Sequence, residues 1–560
     1  ATGGTIGSVT NAGTLTLGAG NTVTGDVTNA AGGALTLDGD TVGGTLASNG
    51  TSLDVTTNGA SAASLSGSGN AALDGTLTLT NAADTYSGAL SGNGGLTVAG
   101  GTETLSGANT YNGVTTVASA GTLDVTGSIA GDASNAGNLN VTGTVAGTVG
   151  NTGTMDVNGG TVGATTNSGT VTAENGTLAS LDNTGTATLT DSTVTGALTN
   201  EAAGTATATG GTIGSVTNAG TLTLGAGNTV TGDVTNAAGG ALTLDGDTIN
   251  GTLASNGTSL DVTTNGASAG SLSGSGNAAL DGTLTLTNAA DTYSGGLSGT
   301  GGLTVAGGTE TLSGANTYSG ATTVASGAVL QLGTGGMSGS LDGTSGISDD
   351  GTLVVDRSDA STLSAPISGS GALVQAGTGT TTLTGTNSYS GGTTISNGTL
   401  AGTTSSFGSG AITDDAALDV DVASTDTDSL ANTVTGTGSM TKTGGGTLVL
   451  DNAADSYSGG TTVAAGTLQV DGNESQIGGT TTVASGATLS GVGTMGGDVT
   501  IASGGTLSPG DGANSVGTLS IAGNLTESSG SIANFDMGQA GTVGGKYNDL
   551  VSVGGNLTIA

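Results

Sequence analysis

One short unit of the sequence reads Gly143-Thr-Val-Ala-Gly-Thr-Val-Gly-Asn151-Thr-Gly-Thr-Met-Asp-Val157. Similar units follow one another, and each places an asparagine at the same point: Asn135, Asn151, Asn167 and Asn183 are spaced sixteen residues apart. So short a unit cannot bury its own apolar side chains, whereas copies stacked on one another bury them together. The repeat therefore predicts a solenoid. Further asparagines continue the series at steps of 17, 18, 18 and 20 residues: Asn200, Asn218, Asn236 and Asn256.

Short strands separated by turns are visible along the whole chain. In Thr76-Leu-Thr-Leu-Thr80, strict alternation puts the leucines on one face of a strand and the threonines on the other. Glycine and asparagine bound such runs and tolerate positive φ at a turn. We therefore predict an all-β, right-handed parallel β-helix (β-solenoid) with coils of about 16–25 residues. Coils of 16 to 20 residues correspond to roughly 28 to 35 turns for 560 residues. The constant step of sixteen favours a hydrogen-bonded asparagine ladder at one corner.

Composition narrows both the core and the range of partners. The chain has two Phe and no Trp, which predicts a thin core of Val, Leu, Ile and Ala. Its formal net charge is −38, with only three basic residues, Arg357, Lys442 and Lys546. Nucleic acids and anionic membrane surfaces require Lys and Arg, so both are excluded as partners. The acidic surface predicts solubility and at most a weak surface Ca²⁺ site, with no other cofactor.

The chain divides into segments by its repeats. Residues 1–119 recur at 208–326 with seven differences, all small, so the two copies are expected to fold alike. We predict five segments of one solenoid: a first repeat block at 1–119, Asn-centred coils of 16–17 residues at 120–207, a second repeat block at 208–326, degenerate repeats at 327–470, and a C-terminal solenoid segment at 471–560.

Six of the seven tyrosines lie in one motif, [Asp/Asn]-[Thr/Ser]-Tyr-[Ser/Asn]-Gly; they are Tyr86, Tyr111, Tyr293, Tyr318, Tyr389 and Tyr457. A ligand-stacking stripe is one interpretation. We favour the other, in which each tyrosine covers the edge of the core at a corner and leaves its hydroxyl in water.

Four windows, 94–125, 301–332, 371–402 and 438–470, resemble the autotransporter-associated β-strand repeat of bacterial surface proteins. The last contains Gly438-Ser-Met-Thr-Lys-Thr-Gly-Gly-Gly-Thr-Leu-Val-Leu450 and then Asp455-Ser-Tyr-Ser-Gly-Gly-Thr-Thr-Val463. A glycine step, a tyrosine corner and a Thr-Leu strand occur there in fixed order. Near the C-terminus, Gly505-Thr-Leu-Ser-Pro-Gly510 and Asp549-Leu-Val-Ser-Val-Gly554 resemble the stretch that precedes the terminal part of such passengers.

The resemblance implies a passenger with a right-handed parallel β-helix, exported by a signal sequence and held by a C-terminal outer-membrane barrel. We therefore expect an extracellular protein of the bacterial cell surface, with a signal and an anchor outside this sequence, and membrane contact only through that barrel. Many members of the family act in adhesion, self-association or biofilm formation.

Catalysis has few residues available to it. The chain contains no His and no Cys, so Ser-His-Asp, Cys-His and His-based metal chemistry are excluded. Paired carboxylates remain, because glycosidases require only two. The densest acidic runs are Asp414, Asp415, Asp419, Asp421, Asp426 and Asp428, and then Asp349, Asp350, Asp356 and Asp359. Short loops and scarce basic residues argue against a catalytic cleft, and we predict no catalytic, cofactor-binding or metal-binding residues.

Association is the predicted function. We expect a structural and adhesive surface protein whose partner is itself, laterally or end to end, or a cell-surface glycan or protein, because repeated weak contacts give avidity. The alternatives are a polysaccharide-acting β-helix enzyme that uses carboxylates only and a glycan-binding module. Threonine arrays of the kind that bind ice need a regular stack, and the unequal coil lengths argue against one.

Overall fold

The computed structural model describes residues 1–512 and 515–560, and this part of the chain contains strands and no helix. Successive strands pair in parallel with the strand one coil further on, and together they form a β-solenoid of about 27 turns. The predicted all-β parallel solenoid is therefore confirmed. The coil length varies more than predicted, from sixteen residues between Asn135 and Asn151 to 32 between Leu525 and Leu557. Longer coils explain why the turns are fewer than the sequence suggested.

The chain folds as two compact units, Ala1–Gly270 and Ser271–Ala560. In the first unit, each coil presents strands on three sides. One side carries the strands Ala133–Asn135, Val149–Asn151, Thr161–Asn167, Thr177–Asn183, Thr193–Asn200, Thr212–Asn218, Val234–Asn236 and Thr252–Ser255. A second side carries Asn138–Val141, Thr154–Asn158, Thr170–Glu174, Thr186–Thr190, Thr205–Thr209, Thr221–Gly225, Ala241–Leu244 and Ser259–Val262. Shorter strands form the third side: Ser128–Ile129, Thr144–Val145, Thr229–Val230, Asp247–Ile249 and Ala267–Ala269.

The first repeat block is stacked in the same way. Its strands include a five-stranded sheet, Thr14–Leu17, Ala34–Leu37, Ser52–Val55, Ala71–Leu73 and Leu90–Ser91. The others are Thr5–Ile6, Val9–Asn11, Thr22–Val23, Val27–Asn29, Asp40–Ser48, Ala60–Ser66, Leu77–Leu79, Thr85–Tyr86, Leu96–Leu105, Ala108–Asn109 and Thr115–Val125. Alternation decides which residues face inward: in Ala34–Leu37, both leucines are buried.

The second unit begins with strands that pair much as those of the first block do. They are Ser271–Gly274, Ala278–Leu280, Leu284–Leu286, Thr292–Tyr293, Leu297–Ser298, Leu303–Val305, Thr309–Leu312, Ala315–Asn316, Thr322–Val324, Val329–Leu332, Ser340–Leu341, Ile347–Asp349, Thr352–Val355, Ile367–Ser368, Ala372–Gln375, Thr393–Ile395, Ile412–Asp414, Val434–Gly436 and Ser456–Tyr457.

Three sheets complete this unit. The first contains Ser361–Leu363, Thr380–Leu383, Thr399–Thr403, Ala417–Asp421, Ser439–Thr443, Thr461–Val463, Thr480–Val483, Asp498–Ile501, Leu525–Glu527 and Leu557–Ile559. The second contains Thr427–Ser429, Thr447–Leu450, Thr467–Val470, Thr488–Gly491, Thr506–Pro509 and Ile532–Ala533. The third contains Asn473–Glu474, Thr494–Met495, Thr518–Ile521 and Leu550–Val553.

The core of each unit is a narrow column of small and medium apolar side chains. In the first unit, Leu123, Leu139 and Met155 lie on successive coils at the same position, and all three are fully buried. Each covers its neighbour, so a coil obtains its apolar contacts from the coils before and after it. The predicted thin core of Val, Leu, Ile and Ala is confirmed, and the six motif tyrosines and Phe407 are the large aromatic side chains within it.

Candidate functional site

A ladder of buried asparagines runs along one corner of the first unit. Each Nδ2 donates to the Oδ1 of the asparagine one coil further on, at 2.7 Å for the first three steps and 2.9 Å for the next three. The ladder predicted for Asn135, Asn151, Asn167 and Asn183 is confirmed, and the structure extends it through Asn200, Asn218 and Asn236. Since the amides are buried, these bonds satisfy groups that would otherwise lose water without compensation.

Sequence spacing alone assigns the wrong position to Asn256, the eighth asparagine of the series. Ser255 pairs with Asn236 in the strand register, while Asn256 lies one residue further on and is exposed. A shift of one residue along a strand moves a side chain to the opposite face. The hydrogen-bonded ladder therefore ends at Asn236, because the hydroxyl of Ser255 has no partner among the described residues, and Asn256 does not continue the series.

The motif tyrosines are all fully buried. Tyr111, Tyr318, Tyr389 and Tyr457 share one arrangement, in which the hydroxyl hydrogen-bonds the Oγ1 of the threonine four residues later at 2.6 to 2.7 Å. The hydroxyls of Tyr86 and Tyr293 instead donate to the carbonyls of Gly69 and Gly276. The prediction that the hydroxyl stays in water is wrong, because the following strand or the preceding coil supplies a partner. The corner position stays a prediction.

Replacing Tyr111 with phenylalanine tests this arrangement. We expect Tyr111→Phe to lower the free energy of unfolding by about 1–2 kcal/mol, because the hydroxyl of Thr115 loses its buried partner. Tyr547, whose side chain is 46% exposed, is the matched control, and its phenylalanine variant should change stability little. Chemical denaturation followed by circular dichroism measures both. Equal effects of the two substitutions would contradict the structural role of the buried hydroxyl.

The interior also holds carboxylates that sequence reasoning did not identify. Glu103 and its counterpart Glu310 are fully buried. The Oε2 of Glu103 lies 3.4 Å from the backbone N of Leu65 and 3.5 Å from the Oγ of Ser64, and its Oε1 has no partner among the described residues. Burial raises the pKa of Glu103 to about 8, and the negative charge of Asp84 adds to the shift. The same causes, with Asp291 as the neighbouring charge, raise the pKa of Glu310 to about 9.

The position of Glu103 was readable from its strand. In Thr102-Glu103-Thr104-Leu105, alternation puts the glutamate on the same face as Leu105, which is the core face. Further carboxylates are buried in the second unit, and burial raises the pKa of Asp349, Asp414 and Asp455 to about 6 and that of Glu474 to about 8. Burial shifts all of these groups towards the protonated form, and near pH 7 the glutamates are mostly protonated while the three aspartates are mostly ionised.

Lys442 is a buried cation that caps a turn. Its Nζ donates to the carbonyls of Thr443 at 2.6 Å, Gly444 at 2.8 Å and Ala465 at 3.2 Å. Burial lowers its pKa, while the charges of Asp419 and Asp421 oppose that shift. Gln375 performs the same task in an earlier coil, since its Nε2 donates to the carbonyls of Gly377 and Gly379 at 2.8 and 3.3 Å. The ammonium group of Lys442 is thus hydrogen-bonded to backbone carbonyls and stabilises this turn.

The fold separates some members of the first acidic run, which was a candidate for carboxylate catalysis, and keeps others together. Asp414, Asp419 and Asp428 lie on three different sheets, and Asp414 is buried. Others cap turns: Asp415 accepts hydrogen bonds from the backbone N and the hydroxyl of Thr437. Asp419 and Asp421 stay together on the outward face of the strand Ala417–Asp421, where both accept from the hydroxyl of Thr443, at 2.8 and 3.4 Å.

The second acidic run is likewise engaged internally. Asp359 accepts from Nε of Arg357 at 3.0 Å and from Nη2 at 2.9 Å, and Asp350 accepts from the backbone N and the hydroxyl of Ser370, both at 2.9 Å. Within residues 1–512 and 515–560, no group of three or more Asp or Glu is arranged to hold a metal ion. A weak surface Ca²⁺ site stays a prediction.

A flat array of threonines covers one side of the first unit. Four stacked strands, Thr170–Glu174, Thr186–Thr190, Thr205–Thr209 and Thr221–Gly225, bring ten outward threonines into register. We call this array the threonine face; it consists of Thr170, Thr172, Thr186, Thr188, Thr190, Thr205, Thr207, Thr209, Thr221 and Thr223. All but Thr223 are exposed, and Glu174 is the one charged residue on the four strands. The expectation that unequal coils prevent a regular stack is wrong here, because turns absorb the extra residues.

These features define a class of protein: a parallel β-solenoid built from short repeats, with buried polar ladders inside and regular polar faces outside. Four segments match the model of the passenger-associated-transport-repeat, at residues 100–125, 307–332, 373–401 and 440–470. Together, these repeats and the solenoid fold fit an autotransporter passenger with associated repeats, as the resemblance predicted. No curated protein matches the chain.

The repeat family implies secretion across the outer membrane to the cell surface, and it suggests a structural passenger rather than an enzyme. Among the described residues, no helix has the length and apolar character needed to cross a membrane.

Proposed function

We propose that this passenger is an adhesive surface protein that mediates attachment and self-association of bacterial cells, and that the threonine face is where copies associate laterally. The threonine face is the observation that supports this proposal. The chain carries a net charge of −38, so two copies repel each other over most of their surfaces. Copies approach at the lowest electrostatic cost where charge is absent.

The regularity of the threonine face favours such contacts. Strands about 4.8 Å apart place equivalent hydroxyl and methyl groups at constant intervals, and a second copy presents the same intervals. None of the ten hydroxyls makes a hydrogen bond within the described part of the chain, so each is available to a partner. Many weak identical contacts then add up to stable association. End-to-end pairing of strand edges is the second form of association that we propose.

Two added charges on the threonine face provide the test. We expect Thr188→Glu together with Thr207→Glu to weaken self-association at least about tenfold, which corresponds to about 1.4 kcal/mol, because like charges would then meet across the contact. Sedimentation velocity over a range of protein concentrations measures the dissociation constant.

The control adds the same charge elsewhere. Ser134→Glu with Thr166→Glu introduces two exposed carboxylates on the strands of the asparagine ladder, and it should leave association unchanged. A protein that stays monomeric at high concentration would contradict the proposal. So would an equal loss of association in both double variants, since net charge alone would then explain the effect.

A further inference from the structure

We propose that a groove in the second unit binds a neutral saccharide. The groove encloses about 490 Å³ and lies beside the loop of residues 333–339, which leaves the stacked coils between the strands Val329–Leu332 and Ser340–Leu341. Ligand sites of proteins are usually concave and measure about 300–1,000 Å³. This inference rests on the proposed function, because it names the ligand class for attachment.

The loop that forms one wall is held in place by the chain around it. Gly333 and Gly339 adopt positive φ angles of 86° and 98°, which let the loop leave and rejoin the coil. The backbone N of Gly335 donates to the carbonyl of Asp356 at 2.9 Å, and Nη2 of Arg357 donates to the carbonyl of Met337 at 3.0 Å. The groove is therefore preformed, and a ligand need not order the loop.

Apolar and polar groups line different parts of the groove. Met337, which is 74% exposed, and the exposed Ala360 offer accessible apolar surface to the C–H face of a sugar ring, while Leu332, Leu341 and Leu363 are buried beneath the groove. The polar lining supplies the hydroxyls of Ser340 and Ser361, the carboxylate of Asp342 and the guanidinium of Arg357. Nε and Nη2 of Arg357 are engaged by Asp359 and Met337, whereas Nη1 has no acceptor among the described residues. A donor and acceptors thus face the same space.

The charges select a neutral polyol. Asp359 already neutralises Arg357, and the net charge of −38 repels anionic sugars. An ammonium group only donates hydrogen bonds, so it supplies no acceptor for the free N–H of Arg357. Sugar hydroxyls donate and accept at once, so they satisfy a lining that contains both a free N–H group and carboxylate and hydroxyl oxygens. These groups would lose hydrogen bonds to water and regain them from the saccharide.

Two variants and a control test the groove. Ala360 is exposed and lies on the lining, so Ala360→Trp fills the space without removing a bond of the loop. Arg357→Gln removes the free donor. Ser396→Trp places the same bulky side chain at an exposed position outside the groove. Immobilised neutral oligosaccharides of glucose, galactose and mannose are screened first, with uronic-acid oligosaccharides for comparison. Binding of the soluble oligosaccharides is then measured by calorimetry.

We expect the wild-type chain to bind at least one neutral oligosaccharide and none of the acidic ones. Ala360→Trp should abolish binding, Arg357→Gln should weaken it at least about tenfold, and Ser396→Trp should leave it unchanged. Absence of neutral binding at millimolar saccharide, or binding that survives Ala360→Trp, would overturn the proposal. Sedimentation of the same variants keeps the two proposals separable, because lateral self-association through the threonine face does not involve the groove.

Discussion

We expect the folded protein to be more stable at pH 5 than at pH 9, with a melting temperature higher by on the order of 5–10 °C. Buried carboxylates are the reason. The pKa of Glu103 and of Glu474 is raised to about 8 and that of Glu310 to about 9, while an unfolded glutamate titrates near 4.3. Between these values the folded state binds protons that the unfolded state has released. The stability that these glutamates contribute is therefore fully present below about pH 4. It is lost progressively as the pH rises towards and through their folded pKa values of about 8 to 9.

The expected size of the effect follows from the shifts. One pKa unit corresponds to about 1.4 kcal/mol, so a single glutamate with a pKa near 8 costs several kcal/mol of stability once it must ionise in place. Asp349, Asp414 and Asp455, with pKa values of about 6, lose their contribution earlier, between about pH 4 and pH 6. Exposed carboxylates with lowered pKa values, such as Asp38 and Asp498, act in the opposite direction and lose their contribution at lower pH. The optimum should therefore be mildly acidic.

A charge-free isostere isolates the contribution of the two equivalent glutamates. Glu103→Gln with Glu310→Gln should raise stability at pH 9 by several kcal/mol and change it much less at pH 5, so the dependence on pH becomes flatter. Glu174→Gln, at an exposed position, is the control and should preserve the slope. Thermal unfolding at a series of pH values measures all three proteins. Stability that rises from pH 5 to pH 9, or an unchanged slope in the double variant, would show that these side chains are not buried in the core.

Interrupting the asparagine ladder should destabilise the first unit. Asn167 accepts from Asn151 and donates to Asn183, both at 2.7 Å, and it also donates to the carbonyl of Thr186 at 3.0 Å. Asn167→Ala removes these three bonds and a fourth, to the carbonyl of Gly169 at 3.2 Å, and it leaves the donor of Asn151 and the acceptor of Asn183 without their ladder partner. We expect a loss of about 2–4 kcal/mol, because an unsatisfied buried group costs more than a bond contributes. Unfolding in guanidinium chloride measures the loss.

Position decides the size of this effect, and an exposed asparagine provides the comparison. Asn158 ends the strand Thr154–Asn158 and is exposed, so Asn158→Ala should change stability by less than about 0.5 kcal/mol. Hydrogen exchange of the Asn167 variant should show lost protection mainly in the coils next to residue 167, because each coil of a solenoid contacts only its neighbours. Uniform loss of protection across the first unit, or equal effects of the two substitutions, would contradict a ladder of local bonds.

Periodicity along the chain was sufficient to predict the fold class and the ladder. A step of sixteen between asparagines means that each returns to the same corner after one coil. This follows from the repeat length alone and does not depend on the position of the coil in the solenoid. Alternation in runs such as Thr76–Thr80 gave the inward face of each strand directly. The same alternation places Glu103 beside Leu105, so its burial was within reach of the sequence, although the pKa that results was not. The pKa depends first on burial by the neighbouring coils and then, to a smaller extent, on Leu65, Asp84 and Ser64, which stacking brings close.

Contacts between coils decided the rest. That Ser255 rather than Asn256 occupies the position after Asn236 depends on a one-residue difference in register, which only the strand pairing settles. The acidic run from Asp414 to Asp428 is local in sequence, yet the solenoid places Asp414, Asp419 and Asp428 on three different sheets. The groove beside Arg357 exists because one loop leaves the coil and is tied back by hydrogen bonds. The local repeat determines the strands and turns of each coil, because these depend on residues close in sequence. The surroundings of a side chain depend on residues a full turn away, and only the stacking of coils brings those residues together.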